Sequence, residues 1–269
     1  MKIIYLIIAS NDPIHETDRL AQEKTWLGRI PGDEWKFLRG AEGNVRPRRV
    51  EDLYVDCAEE YGLILKKTVH GLRSILSQKF DFVVRTNVST YFNDLKLREE
   101  LMKFHSIQEP LALGFWEIHK RPDGLEERFL SGTGIIMNYS CAKIISETES
   151  DSYKMVPDDI AISREIKKKN VKVIPIRRCN LHKSKVFSNS CFIRLKSSER
   201  ANLASSRMKL VNEYFIANKR SQRLRIRIKI TCMEFRYMNW NFSEIRRYAV
   251  DIYVLIRLYL INSRLRLGK

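Results

Sequence analysis

The chain has 269 residues with 44% hydrophobic and 10% aromatic content, enough to bury a sizeable core and to exclude wholesale disorder. Its formal charge of +17 is uneven: residues 201–269 hold 15 Lys and Arg against 4 Asp and Glu, while the first 200 hold 34 against 28. An anionic partner for the tail is therefore expected, whether phospholipid, nucleic acid or a phosphorylated carrier.

Residues 3–9 are a continuous apolar, β-branched run stopped by Asn11-Asp12-Pro13, the pattern of a central parallel strand covered on both faces. The run is short for a signal core and lacks an A-x-A-like cleavage site. Five cysteines, Cys57, Cys141, Cys179, Cys191 and Cys232, form no C-x-x-C pair, and a reducing cytosol is the simplest setting for them. No later stretch approaches the ~20 uncharged apolar residues of a membrane span, so a cytoplasmic protein is expected. The sequons at Asn87, Asn138 and Asn241 are then chance matches.

The spacing of Leu20, Lys24 and Leu27 predicts a helix over 17–27, and residues 35–38 a short second strand. A long amphipathic helix is expected over 57–76, with Tyr61, Leu65, Thr68, Leu72 and Ile75 on its core face. A strand over 80–84 runs into Arg85-Thr86-Asn87, and a helix over 94–104 starts at a cap, Asn93. Residues 111–118 read as a strand, Arg121-Pro122-Asp123-Gly124 as a hairpin turn, and residues 129–137 as a strand containing Ser131-Gly132-Thr133-Gly134. A helix over 158–168 and a strand over 171–176 complete the series. Such alternation predicts an α/β domain over 1–205, with a mainly parallel sheet, helices on both faces, and ligands at the carboxyl ends of the strands. Residues 206–269 form a basic, mostly helical extension. Within it, 223–230 alternates basic and apolar residues with strand periodicity. Residues 243–267 read as a basic amphipathic helix with an Ile245, Tyr248, Ile252, Tyr253 and Ile256 stripe, suited to an anionic membrane surface or a partner.

Three segments carry candidate chemistry. The first is the end of the 80–84 strand, Arg85, Thr86, Asn87 and Ser89, where a buried strand breaks into polar residues. The second is Asp158-Asp159 at a helix start, where one carboxylate can cap the helix and the other act as a general base. The third is Arg194, Lys196 and Arg200, cations able to clamp a pyrophosphate.

Together with Glu23-Lys24-Thr25-Trp26, Phe37-Leu38-Arg39-Gly40, Lys66-Lys67-Thr68 and Gly71-Leu72-Arg73, these segments resemble the GT-A class of glycosyltransferases. The likeness is to bacterial surface-polysaccharide enzymes distantly similar to the Fringe and β-1,3-galactosyltransferase group, and it spans about residues 1 to 200. The resemblance implies a GT-A (Rossmann-like) fold and transfer of a sugar from a nucleotide-sugar donor, a UDP-sugar first, to a glycan or lipid-linked acceptor. It implies Asp158 or Asp159 as an inverting general base. Ser10, Arg85, Thr86, Asn87, Ser89, Arg194, Lys196 and Arg200 would then hold the donor, and Ser131, Gly132 and Gly134 would lie near the acceptor. The class usually carries an Asp-x-Asp motif for a divalent metal. Here that stretch is Thr86-Asn87-Val88-Ser89, which speaks against a metal because a neutral amide and hydroxyls are weak partners for a hard cation. The protein is thus expected on the inner face of the cell membrane. A nucleic-acid-binding protein and a catalytically lapsed sugar-nucleotide binder are the alternatives, the former weakened by the lack of any helix-turn-helix, RRM or zinc-finger signature.

Overall fold

In the computed structural model, which describes residues 1–30, 32–41, 49–121, 124–153, 156–181, 190–195, 204–217 and 219–236, the first apolar run forms strand β1, Ile3–Ile8, with all six residues buried. The helix after it, α1, spans Pro13–Glu23 and starts four residues before the expected 17. The turn tripeptide is itself the helix start. The Asp12 side chain accepts a hydrogen bond from the Ile14 N–H at 2.7 Å, and Pro13 supplies a preset φ where no amide donor is needed.

There follow β2 (Glu34–Gly40), β3 (Asp52–Val55), α2 (Ile64–Ile75), β4 (Phe82–Asn87), β5 (Thr90–Phe92) and α3 (Asp94–Met102). After these come β6 (Leu111–Lys120), β7 (Glu126–Asn138), α4 (Tyr139–Ser146), α5 (Asp158–Lys168), β8 (Lys172–Pro175), β9 (Arg178–Asn180) and β10 (Phe192–Arg194). The expected 57–76 helix is cut short: Tyr61–Leu63 is a 3-10 turn, and only from Ile64 does α2 begin. Tyr61 is consequently 70% exposed instead of on the core face. Strand β3 and helix α4 were not expected from the sequence. Each is short and leans on long-range packing more than on a local pattern.

Seven strands form one sheet in the order β3-β2-β1-β4-β7-β6-β8. Strand β7 runs antiparallel to both neighbours, and every other neighbouring pair is parallel. The sheet is α/β, mostly parallel and flanked by helices, compatible with a Rossmann-like fold. Its two faces are built from alternating residues of the same strands. Ile4, Leu6 and Ile8 of β1 pack with Leu65, Val69 and Leu72 of α2, Cys141 and Ile145 of α4, and Ile162 and Ile166 of α5. On the other face Tyr5 meets Trp26 and Phe92, and Phe92 meets Phe192, so the second sheet, β5-β10-β9, is held there by ring contacts. Helix α1 shares that face, with the Arg19 guanidinium over the Phe37 ring of β2.

One irregularity shapes the site. Across the β6–β7 hairpin the register moves from Gly114 opposite Ile135 to Trp116 opposite Leu130. Residues 131–134 of β7 therefore stand against the single residue Phe115. A bulge of this kind bends the strand and re-aims its groups.

The chain divides into two compact units, Met1–Arg194 and Leu195–Lys269. In the second, α6 (Ala204–Ile216) and α7 (Arg220–Arg236) lie against one another. The 223–230 alternation is thus helical, a correction to the strand reading. Arg, Leu and Lys are good helix formers, and a helix satisfies its own backbone where no sheet edge offers partners. The expected helix over 243–267 lies outside the described residues. No helix among the described residues is long and apolar enough to cross a membrane.

Candidate functional site

The side chains at the end of β4 and the start of α5 meet on the β7 bulge. Arg85, buried at 3% exposure, donates from Nη1 to the Gly132 carbonyl at 2.5 Å and from Nη2 to Asp158 Oδ2. Asp159 Oδ2 accepts from the Gly132 N–H at 3.0 Å. Thr86 Oγ1 donates to the Thr133 carbonyl at 2.7 Å, and Asn87 Nδ2 reaches the Gly132 carbonyl at 3.4 Å. Arg85, Thr86 and Asn87 are thereby fixed to a segment 45 to 47 positions further along the chain. Gly132 is small of necessity: a Cβ there would stand 2.6 Å from Arg85 Nη1 and 3.1 Å from Asp159 Oδ2.

The two aspartates have different surroundings. Asp158 is buried, and burial pushes its carboxyl up to about 6; the Asp159 charge adds to the rise, and the opposing Arg85 charge does not reverse it. Asp159 is only half-buried, held by the Gly132 N–H on Oδ2 and by the Ile160 N–H on Oδ1. Tyr61 stands beside them. Though much of its side chain is exposed, partial desolvation raises its phenol, and the charges of Asp159 and Asp158 raise it further. Sequence reasoning had placed this tyrosine in the core stripe and so missed it at the site.

On the other side of the bulge lies a positive group. Arg178, at the start of β9, donates from Nη1 to Ser131 Oγ at 2.6 Å and to Thr133 Oγ1 at 3.3 Å. It also donates from Nη2 to Glu117 Oε1 at 2.5 Å, and its guanidinium lies 4.2 Å from the centre of the Phe115 ring. Arg194, at the end of β10, reaches the same Glu117 oxygen at 3.2 Å. Burial raises the Glu117 carboxyl, but the Arg178 hydrogen bond and the charges of Arg178 and Arg194 outweigh it and hold the group below its usual range. Arg178 and Glu117 were not named from the sequence. An arginine in a three-residue strand and a glutamate midway along another carry no local signal; only pairing through the bulge brings them to Ser131.

No family model matches the chain, and no curated protein matches it.

The remaining expected residues divide. Gly134 faces the second sheet, where a Cβ would meet the Phe192 ring at 3.2 Å. Ser89 donates to Asn87 Oδ1 at 3.0 Å. Ser10, at the end of β1, pairs its Oγ with His15 Nδ1 at 2.6 Å, and its carbonyl accepts from the buried Arg39. Lys196 and Arg200 lie outside the described residues. The stretch from Thr86 to Ser89 does not fit a divalent cation. It has no carboxylate, and the Asn87 Oδ1 already accepts from the hydroxyls of Ser89 and Thr90. Among the described residues no group of three or more His, Cys, Asp or Glu side chains is placed to hold a metal ion. Burial pushes the Cys141 and Cys191 thiols up to about 12, which disfavours the thiolate form at these two positions.

Proposed function

We propose that the protein is a GT-A-type glycosyltransferase that moves a sugar from a nucleotide-sugar donor to a glycan or lipid-linked acceptor, in the making of a surface polysaccharide. One observation carries this reading. A single bulged segment holds the Asp159 carboxylate at Gly132, with Asp158 tied to the same glycine through Arg85, and the Arg178 guanidinium at Ser131, with Arg194 meeting it at Glu117. Group transfer from a sugar nucleotide needs that polarity: a base where the acceptor hydroxyl loses its proton and cations where the diphosphate leaves.

Asp159 takes the base role. It is half-buried and aligned by two backbone donors, whereas Asp158 is committed to Arg85 inside the protein. Asp159 removes the acceptor proton, the freed oxygen attacks the anomeric carbon, and the bond from that carbon to the diphosphate breaks with its electron pair leaving on the diphosphate. The anomeric configuration inverts. Arg85 and Asp158 position the bulge. Neutralisation of the leaving group falls to arginine, given the chemistry of the Thr86-to-Ser89 stretch. The basic helix α7, with Arg223, Arg225, Arg227 and Lys229, favours attachment to the anionic inner face of the cell membrane, where a lipid-linked acceptor would be presented.

The test is release of nucleoside diphosphate from UDP-sugars and GDP-sugars by the purified full chain with candidate acceptors, comparing wild type with D158N and D159N. Undiminished transfer in both variants would remove the carboxylates from the reaction and this reading with them.

A further inference from the structure

The guanidinium groups of Arg178 and Arg194 converge on one carboxylate oxygen, Glu117 Oε1, at 2.5 and 3.2 Å. Arg178 is locked in place. Its side chain is 1% exposed, its guanidinium lies over the Phe115 ring, and the Ser131 and Thr133 hydroxyls hold Nη1. Its Nε is a buried donor with no partner among the described residues. Arg194 differs, with 38% of its side chain exposed, and Glu117 is 25% exposed. Two cations thus share one acceptor oxygen, and the whole group opens to solvent on the Arg194 side. Guanidinium forks are built for paired anionic oxygens, and here the two forks meet only one anionic oxygen between them, the rest of the Arg178 donors going to neutral hydroxyls or, at Nε, to no partner among the described residues. A buried arginine also needs a counter-ion while no ligand is bound, because an uncompensated charge in the interior is strongly destabilising.

We propose that Arg178 and Arg194 form the seat of the donor's diphosphate, and that the Glu117 carboxylate is an internal stand-in for it, displaced when a diphosphate binds. This rests on the sugar-nucleotide reading and extends it. The ligand class is a pyrophosphate, whose several anionic oxygens can satisfy both forks at once. Ser131 and Thr133 act as positioning residues for Arg178. Displacement of Glu117 moves a negative charge from the arginine pair toward the open side, so the empty seat keeps one net positive charge and the filled one is not overloaded with negative charge.

Calorimetric titration of the full chain with inorganic pyrophosphate at fixed ionic strength tests the seat without any sugar transfer. R194Q, a change at a partly exposed side chain, is expected to weaken binding about tenfold, as loss of one charge-assisted contact does. E117Q removes the competing anion and is expected to tighten binding about tenfold. A purely structural ion pair predicts the opposite for E117Q: unchanged or weaker binding with a lower unfolding temperature. Pyrophosphate that does not bind wild type, R194Q binding like wild type, or E117Q binding no tighter would each overturn the proposal. Should E117Q fail to fold, the R194Q result alone decides. If the pyrophosphate pattern holds while no sugar nucleotide is turned over, the transferase reading fails and the seat stands.

Discussion

Asp158 and Asp159 are adjacent in the chain, yet one side chain enters the interior to meet Arg85 and the other stays at the rim against the bulge backbone. The difference makes their substitutions distinguishable. D159N should lower the rate of transfer by about 10²- to 10⁴-fold, the usual span for a lost general base, with little change in pyrophosphate affinity. Single-turnover rates beside calorimetric titration would check it, and a D159N enzyme as fast as wild type would exclude the role. Asp158 has a pH signature. Its carboxyl titrates near 6 in the folded protein against about 4 in an unfolded chain, so the folded state binds that proton more tightly. Its contribution to stability is complete below pH 4 and is lost as pH rises from about 4 to about 6. Thermal unfolding of D158N across that window should show a flatter slope than wild type; identical slopes would refute the assignment. Gly132 offers a third probe. G132A puts a methyl group within 2.6 Å of Arg85 Nη1, and it is expected to abolish most transfer while leaving far-UV circular dichroism unchanged, because the displaced atoms belong to the site and not to the core.

Two elements determine where those side chains can go. Gly114 flanks the β7 bulge, opposite Ile135, and an added Cβ there would lie 3.1 Å from the Gly134 carbonyl, so small residues on both strands let the backbone fold tightly there. Helix α1 is the other, and its start governs the geometry around Ser10. Through Gln22 it also reaches the carbonyls of Asn87 and Thr90 at 3.1 and 3.0 Å, tying the helix to the end of β4. D12A removes the hydrogen bond to the Ile14 N–H and should cost about 1 kcal/mol. In a unit of this size that lowers the unfolding temperature by about 2–4 °C. Differential scanning calorimetry would measure it, and a shift below 1 °C would show that Pro13 alone starts the helix.

At the scale of the molecule, the positive charge is concentrated in the second unit while the first holds a near balance of signs. The proposed membrane attachment is accordingly electrostatic and salt-sensitive. Replacing Arg223, Arg225, Arg227 and Lys229 by Gln should reduce flotation with anionic vesicles, each cation contributing up to about 1 kcal/mol near such a surface. Retention of full binding by the quadruple variant, or equal binding of wild type to neutral vesicles, would dismiss α7 as the attachment element. Part of the first unit could be read in advance: β1, α5 and the β6–β7 hairpin followed from apolar period and turn residues, Arg85 and Asn87 from the polar break after a buried strand, and Asp158 from its place in a carboxylate pair at a helix start, whereas Gly132 was named only through the resemblance. Tyr61, Glu117 and Arg178 did not follow. Their place depends on a 3-10 turn that replaced a helical one and on a strand pairing with a bulge in it.

Hydrophobic periodicity is local, so the chain alone determined such segments as β1, β4, β6, β7 and α5, whose apolar residues cluster within each segment. Hydrogen-bond pairing between strands is not local. The insertion of antiparallel β7 between β4 and β6, the register slip at Phe115 and the bonds from Arg85 and Arg178 to a segment 47 residues away in each case were decided only in the folded molecule. Backbone donors and acceptors are the same at every residue, and which of them meet depends on how the whole sheet closes.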